Sequence, residues 1–131
     1  MWCESIRKRF PTLLGDLASI ECPAGWETMI EQMCLDILKY EAFLVDNTNY
    51  TPVRFVQIKE KFGSLRAYHD GGTINNDIFI SIIPAVIRQY EDISASVCSV
   101  CGSTNAKLSV KRSWMYPVCD DCKNDNDEKN C

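Results

Sequence analysis

Histidine is almost missing from this chain: His69 is the one histidine among 131 residues. That scarcity removes most familiar catalytic arrangements. A serine or cysteine nucleophile needs a base beside it, and no such neighbour is recognisable. The zinc-deaminase pattern, His-x-Glu followed by Pro-Cys-x-x-Cys, fails twice. His69-Asp70-Gly71 lacks the glutamate, and Pro117-Val118-Cys119 displaces the proline by one. Nucleases with flanking zinc pairs need catalytic histidines that this chain does not carry. No Gly-x-x-x-x-Gly-Lys loop is present to cradle a phosphate. No apolar run approaches membrane length, and Met1-Trp2-Cys3-Glu4 does not read as the start of an export signal. The expectation is a cytoplasmic protein that is not an enzyme and does not enter a membrane.

Cysteine, by contrast, is abundant, with eight residues. Without an export signal they belong in a reducing compartment, as ligands or free thiols. Four fall into two Cys-x-x-Cys pairs, Cys98-Ser99-Val100-Cys101 and Cys119-Asp120-Asp121-Cys122, with 17 residues between them. That spacing is expected of a four-cysteine zinc site. Each short turn aims two thiolates at one ion, and the intervening segment must fold back to deliver the second pair. Gly102 suits the positive φ that such a knuckle needs, whereas Lys123 holds the equivalent place after the second pair. Paired disulfides would suit an exported chain, and a redox pair would sit in a βαβ setting that is absent. Four thiolates leave no position open for water, so the expected ion is one structural Zn²⁺ bound by Cys98, Cys101, Cys119 and Cys122. Cys3, Cys22, Cys34 and Cys131 are then expected to be free thiols.

The composition, 46% hydrophobic and 24% charged, is ordinary for one globular domain. The formal charge is −4. Four thiolates around one divalent cation add −2, giving about −6 for the loaded protein. A field of that sign repels nucleic acid unless basic residues cluster on one face, and it favours basic partners.

The apolar pattern predicts an α+β body over residues 1–97, with about three helices packed on a β-hairpin at 53–68. A zinc ribbon or treble-clef-like module follows over 98–131, docked on the body and ending in an acidic tail. Trp2, Ile6 and Phe10 are spaced for a short helix ending at Pro11, with residues 11–22 loop-like. From Trp26, apolar residues recur with helical period to Leu44, and Cys34 lies on that face as a core residue. Residues 45–52 read as a polar connection. Val53 to Glu60 and Leu65 to Tyr68 read as strands joined at Gly63. A third helix is expected from about Asn76 to Ser96, with Pro84 either kinking it or marking its start. Between the cysteine pairs, alternation over Leu108 to Tyr116 predicts a hairpin turning near Lys111-Arg112-Ser113. Residues 124–130 are poor helix formers and are expected to fray.

Several stretches occur in order: Arg9-Phe10-Pro11, then Gly25-Trp26 with Ile30, then Lys59-Glu60-Lys61-Phe62-Gly63-Ser64-Leu65-Arg66-Ala67-Tyr68, then Ser94 ahead of Cys98-x-x-Cys101-Gly102, with Trp114 and Cys119. Together they resemble a family of small phage and prophage proteins. The likeness covers nearly the whole chain, and its most specific part is the run from Lys59 to Tyr68. Family members often have Gly or Thr at the Ser64 position, and some use His where this chain has Cys122. The resemblance implies phage origin and zinc binding, and no activity.

Two functions follow as expectations. The first is a zinc-stabilised accessory protein that binds a host protein, in particular an inhibitor of a nucleic-acid-targeting defence such as a CRISPR effector. Trp114 and Tyr116 would form its packed centre, and Asp120, Asp121 and Asp125 would steer it to a basic channel. The alternative is a nucleic-acid-binding ribbon of phage transcription or replication, using Lys59, Lys61, Arg66, Lys107, Lys111 and Arg112. Against it, Lys59 and Arg66 are expected to pair with local carboxylates, and Phe62 and Tyr68 to pack on the helices.

Overall fold

The computed structural model describes residues 2–15, 17, 19–47, 49–74 and 82–123. Its helices are α1 (Trp2–Arg9), α2 (Pro11–Leu14), α3 (Glu27–Asn47) and α4 (Ile82–Ser94). Its strands are β1 (Ile20–Glu21), β2 (Tyr50–Thr51), β3 (Arg54–Lys61), β4 (Ser64–Asp70), β5 (Thr73–Ile74), β6 (Lys107–Lys111) and β7 (Trp114–Val118). The fold is α+β, as the pattern predicts, with a C-terminal four-cysteine module.

The stretch expected to be loop-like is partly ordered. Pro11 opens α2, where its fixed φ suits a first turn and its missing N–H costs nothing. Ile20 and Glu21 then pair in parallel with Ile58 and Lys59 of β3. The long helix also runs further than its apolar pattern, to Asn47, because no glycine or proline intervenes before Pro52. A tight 3₁₀ turn, Ala24–Trp26, precedes it. Pro84 stands in the first turn of α4 as described, where a proline is tolerated. The expected helical stretch upstream, 76–81, lies outside the described residues.

β3 and β4 form the hairpin, turning through Phe62 and Gly63, both at positive φ. A bulge between Phe55 and Gln57 inserts one extra residue. It lets Phe55 and Ile58, three apart, both point into the core, which strict alternation forbids. The core holds Ile6, Leu13, Leu14, Ile20, Trp26, Ile30, Met33, Ile37, Leu44, Phe55, Ile58 and Leu65. Cys22 and Cys34 are buried, free thiols within it, and burial pushes Cys34 up to about 12. Cys3 departs from the expectation of a free thiol, since it is disulfide-bonded; Cys131 lies outside the described residues.

Helix α4 covers the free edge of β4 with side chains rather than another strand. The Leu65 amide donates to Ser94 Oγ at 2.7 Å, and the Ala67 amide to Glu91 Oε2 at 3.0 Å. An open edge would leave those amides unpaired. Ser94→Ala is therefore expected to strand the buried Leu65 amide and cost about 1–3 kcal/mol. Urea unfolding of the variant measures this, and an unchanged midpoint would contradict it. On the other side, buried Glu41 of α3 accepts from the Tyr50 hydroxyl and, at 2.7 Å, from the Val53 amide, tying the β2–β3 connection to the helix.

Candidate metal centre and the hairpin junction

The Cys98-x-x-Cys101 turn is held by short backbone bonds. The Gly102 amide donates to Cys98 O at 3.0 Å, and the Cys98 amide to Ser103 O at 2.8 Å. Gly102 has φ +81°, the conformation expected after a knuckle. The second pair turns in the same way, with the Cys122 amide donating to Cys119 O at 3.1 Å. Between them β6 and β7 pair from Lys107↔Val118 to Lys111↔Trp114, the hairpin expected from the alternation. The Ser99 amide donates to Pro117 O at 2.8 Å, closing the first knuckle against β7. A helix after the second pair, which would make a treble clef, falls outside the described residues.

This folding gathers Cys98, Cys101, Cys119 and Cys122, whose sulfurs all lie within 4.8 Å of one another. Cys101 Sγ and Cys119 Sγ are 3.7 Å apart. A disulfide needs about 2.05 Å. Tetrahedral bonds of about 2.3 Å to one central ion set neighbouring sulfurs about 3.8 Å apart. The four thiols thus fit a single metal ion, and all four are free. Their electrostatics agree. Burial raises Cys98, but backbone N–H groups of Cys101, Cys119 and Val100 outweigh it and bring the thiol down to about 7. Cys122 is raised, chiefly by its hydrogen bond to Cys119. One thiolate forms readily, whereas Cys101 and Cys122 are raised and resist ionising beside it until a cation offsets the charge. The module's own apolar cluster comprises only Cys98, Ala106, Val118 and Cys119, with Val100, Tyr116 and Cys122 packed around it. A cluster that small cannot hold a fold without a staple.

No family model, curated protein or solved structure matches this chain.

The module is seated on the body at two places. At the first, the indole of fully buried Trp26 donates to Val97 O at 2.9 Å, and the Gly25 amide to Ser99 O at 3.0 Å. The backbones approach so closely that a Cβ on Gly25 would stand 2.5 Å from Ser99 C and collide with Cys98 O. At the second, the tip of the first hairpin meets the side of the second. Gly63 has φ +83°, and a Cβ there would run into Leu108 Cδ2. Between the tips lies a groove of about 350 Å³ lined by Glu60, Lys61, Phe62, Ser113, Trp114 and Met115.

The expected partner-binding residues separate. Trp114 is 56% exposed at the junction, whereas Tyr116 is half-buried against the module's interior. Asp120 and Asp121 are exposed at the metal end of β7, about 13 Å along the strand from Trp114. Asp125 lies outside the described residues. Among the basic residues, Lys61, Lys111 and Arg112 are brought to the junction or its adjoining tip, and Lys59 and Arg66 face each other across β3 and β4. Lys107 sits at the far end of β6.

The expected neutralisation of these cations is not seen. Lys59, Lys61, Arg66 and Arg112 make no ion pair among the described residues. Lys59 Nζ lies 6.0 Å over the Tyr68 ring and Lys61 Nζ 5.7 Å over the Phe62 ring. Arg66 donates to Ser64 Oγ at 2.7 Å. Nor do the rings pack on helices: Phe62 is 69% exposed and Tyr68 46%. The one ion-paired cation of α1 is Arg9, whose guanidinium meets Glu31 at 2.8 Å and Glu27 at 3.9 Å.

Proposed function

We propose that this chain is a non-enzymatic binding protein, stapled by one structural Zn²⁺, whose working surface is the aromatic and basic face shared by its two hairpins. The single observation that carries this reading is the junction itself. Phe62 and Trp114 stay open to solvent on either side of one groove, beside Lys61 and Arg112, which make no ion pair among the described residues. Exposed large rings that gain nothing for the core are what a binding site presents. Zn²⁺ is the ion best suited to four thiolates in a closed tetrahedral site, and it brings no redox chemistry. The absence of an open coordination position supports a structural role for it.

The resemblance to phage proteins supports a cytoplasmic partner in an infected bacterium, and on that ground alone an inhibitor of host defence is a reading of the same surface. Around Trp114 the basic Lys61, Lys111 and Arg112 outnumber Glu60, so the partner this face suits is anionic rather than the wall of a basic channel. Affinity capture from bacterial lysate tests the reading, comparing the metal-loaded protein with its Phe62→Asn, Trp114→Ala double variant. Both rings are exposed, so the variant should fold and keep its metal. Loss of the captured partner in the variant is expected. Recovery of the same partners by both forms would overturn the assignment of this face.

A further inference from the structure

We propose that the ligand of this face is single-stranded nucleic acid, its bases stacking on Tyr68, Phe62 and Trp114 and its phosphates meeting Lys59, Lys61, Arg66 and Arg112. The proposal rests on the assignment of the working surface made above and names the class of molecule it takes.

Three observations lead to it. First, the rings and cations alternate in one continuous region. Tyr68 pairs in register with Gln57, Arg66 with Lys59, and Ser64 with Lys61. Phe62 then forms the tip, and the groove carries the surface on to Trp114. A strand-tracking site needs this interleaving: rings offer a face to any base, and the cations between them follow the backbone. Second, the four cations, two lysines and two arginines, make no ion pair among the described residues. Charges left unpaired within the fold are available to phosphates. The carboxylates flanking the region are engaged or marginal: Glu60 accepts from the Gly63 amide at 2.7 Å, and Glu21 beside Lys59 takes the Ser19 hydroxyl at 3.3 Å. Glu91 of α4 also reaches β4, where its Oε2 is taken by the Ala67 amide at 3.0 Å on the covered edge.

Third, both tips hold side chains that their turns do not favour. Phe62, Arg112 and Ser113 have φ of +54°, +52° and +66°. Two-residue hairpin turns of this kind prefer Asn-Gly, because left-handed backbone is strained for other residues. A bulky ring and a guanidinium at such positions are retained against local preference, which marks them as functional.

The test is fluorescence anisotropy with labelled oligo(dT) and oligo(U) of about fifteen nucleotides, a length that spans a typical single-strand site. A duplex of the same length serves as the comparison. The metal-loaded protein is expected to bind both single strands in preference to the duplex. Neutralising three to four phosphates gives a slope of log K against log salt of about −2 to −3. Phe62→Asn and Trp114→Ala should each weaken binding about 5- to 150-fold, the range of one lost stacking contact. Arg112→Asn with Ser113→Gly should raise the melting temperature by about 4 °C while weakening oligonucleotide binding. A tip that matters only for folding would show the first effect without the second. Absence of oligonucleotide binding at low salt, or binding indifferent to these variants, overturns the proposal. If lysate capture nonetheless depends on Phe62 and Trp114, a protein is the ligand, and the face stands while the nucleic acid falls.

Discussion

Replacing Cys101 with serine is expected to abolish stoichiometric metal binding and unfold the C-terminal module. Cys101 is exposed, so its side chain contributes little packing of its own. What the change removes is one of four thiolates, and a serine hydroxyl does not replace it at neutral pH. Binding free energies of structural zinc in small modules are on the order of 10 kcal/mol, and that energy is folding energy when the apo site is unformed. The module's few apolar residues cannot make up such a loss. The body should survive, because its core from Ile6 to Leu65 uses none of the four ligands. Elemental analysis of the purified variant, with far-UV dichroism and urea unfolding, checks both halves. Full zinc occupancy in Cys101→Ser would contradict the four-ligand site.

Gly25→Ala should be nearly as damaging for so small a change, with a loss of about 3 kcal/mol or more. The added methyl would meet Cys98 O and Ser99 C, which are backbone atoms of the first knuckle and cannot turn aside like a side chain. Relief requires the module to lift from the body. That would strain the Gly25–Ser99 and Trp26–Val97 hydrogen bonds together. Limited proteolysis reports the outcome: cleavage between Ser94 and Val97 should be slow in the native protein and fast in the variant. A variant as resistant as the parent, with an unchanged urea midpoint, would show that the seat is not tight.

The metal cluster, the hairpins and the long helix were legible because their signals are local. Two Cys-x-x-Cys pairs, Gly63 and Gly102 at their turns, and the apolar period from Trp26 onward each need only a few neighbouring residues to be read. What escaped was non-local. The Ser94 hydroxyl caps an amide 29 residues away, and the Trp26 indole binds a carbonyl 71 residues away. Neither pairing has a signature in spacing. The β3 bulge was equally hidden, since an inserted residue is defined by its partner strand. Gly63 reads in sequence as a turn residue, and only the fold adds that it is also where the second hairpin rests. Composition gives a net charge of −4 but not its distribution, and only the fold places Lys59, Lys61 and Arg66 together on one hairpin. The position of a charge decides a local contact, and the total decides only the far field.

The central claim is that the metal builds the face by fixing the second hairpin beside the first. Amide hydrogen exchange, before and after zinc is stripped by a chelator, tests it most directly. The Ser99 amide, the Gly25 amide and the β6–β7 ladder should lose protection together, while Leu65 and Ala67, held by α4, keep theirs. A β6–β7 hairpin that stays protected without metal, with Gly25 still bound to Ser99, would contradict the account.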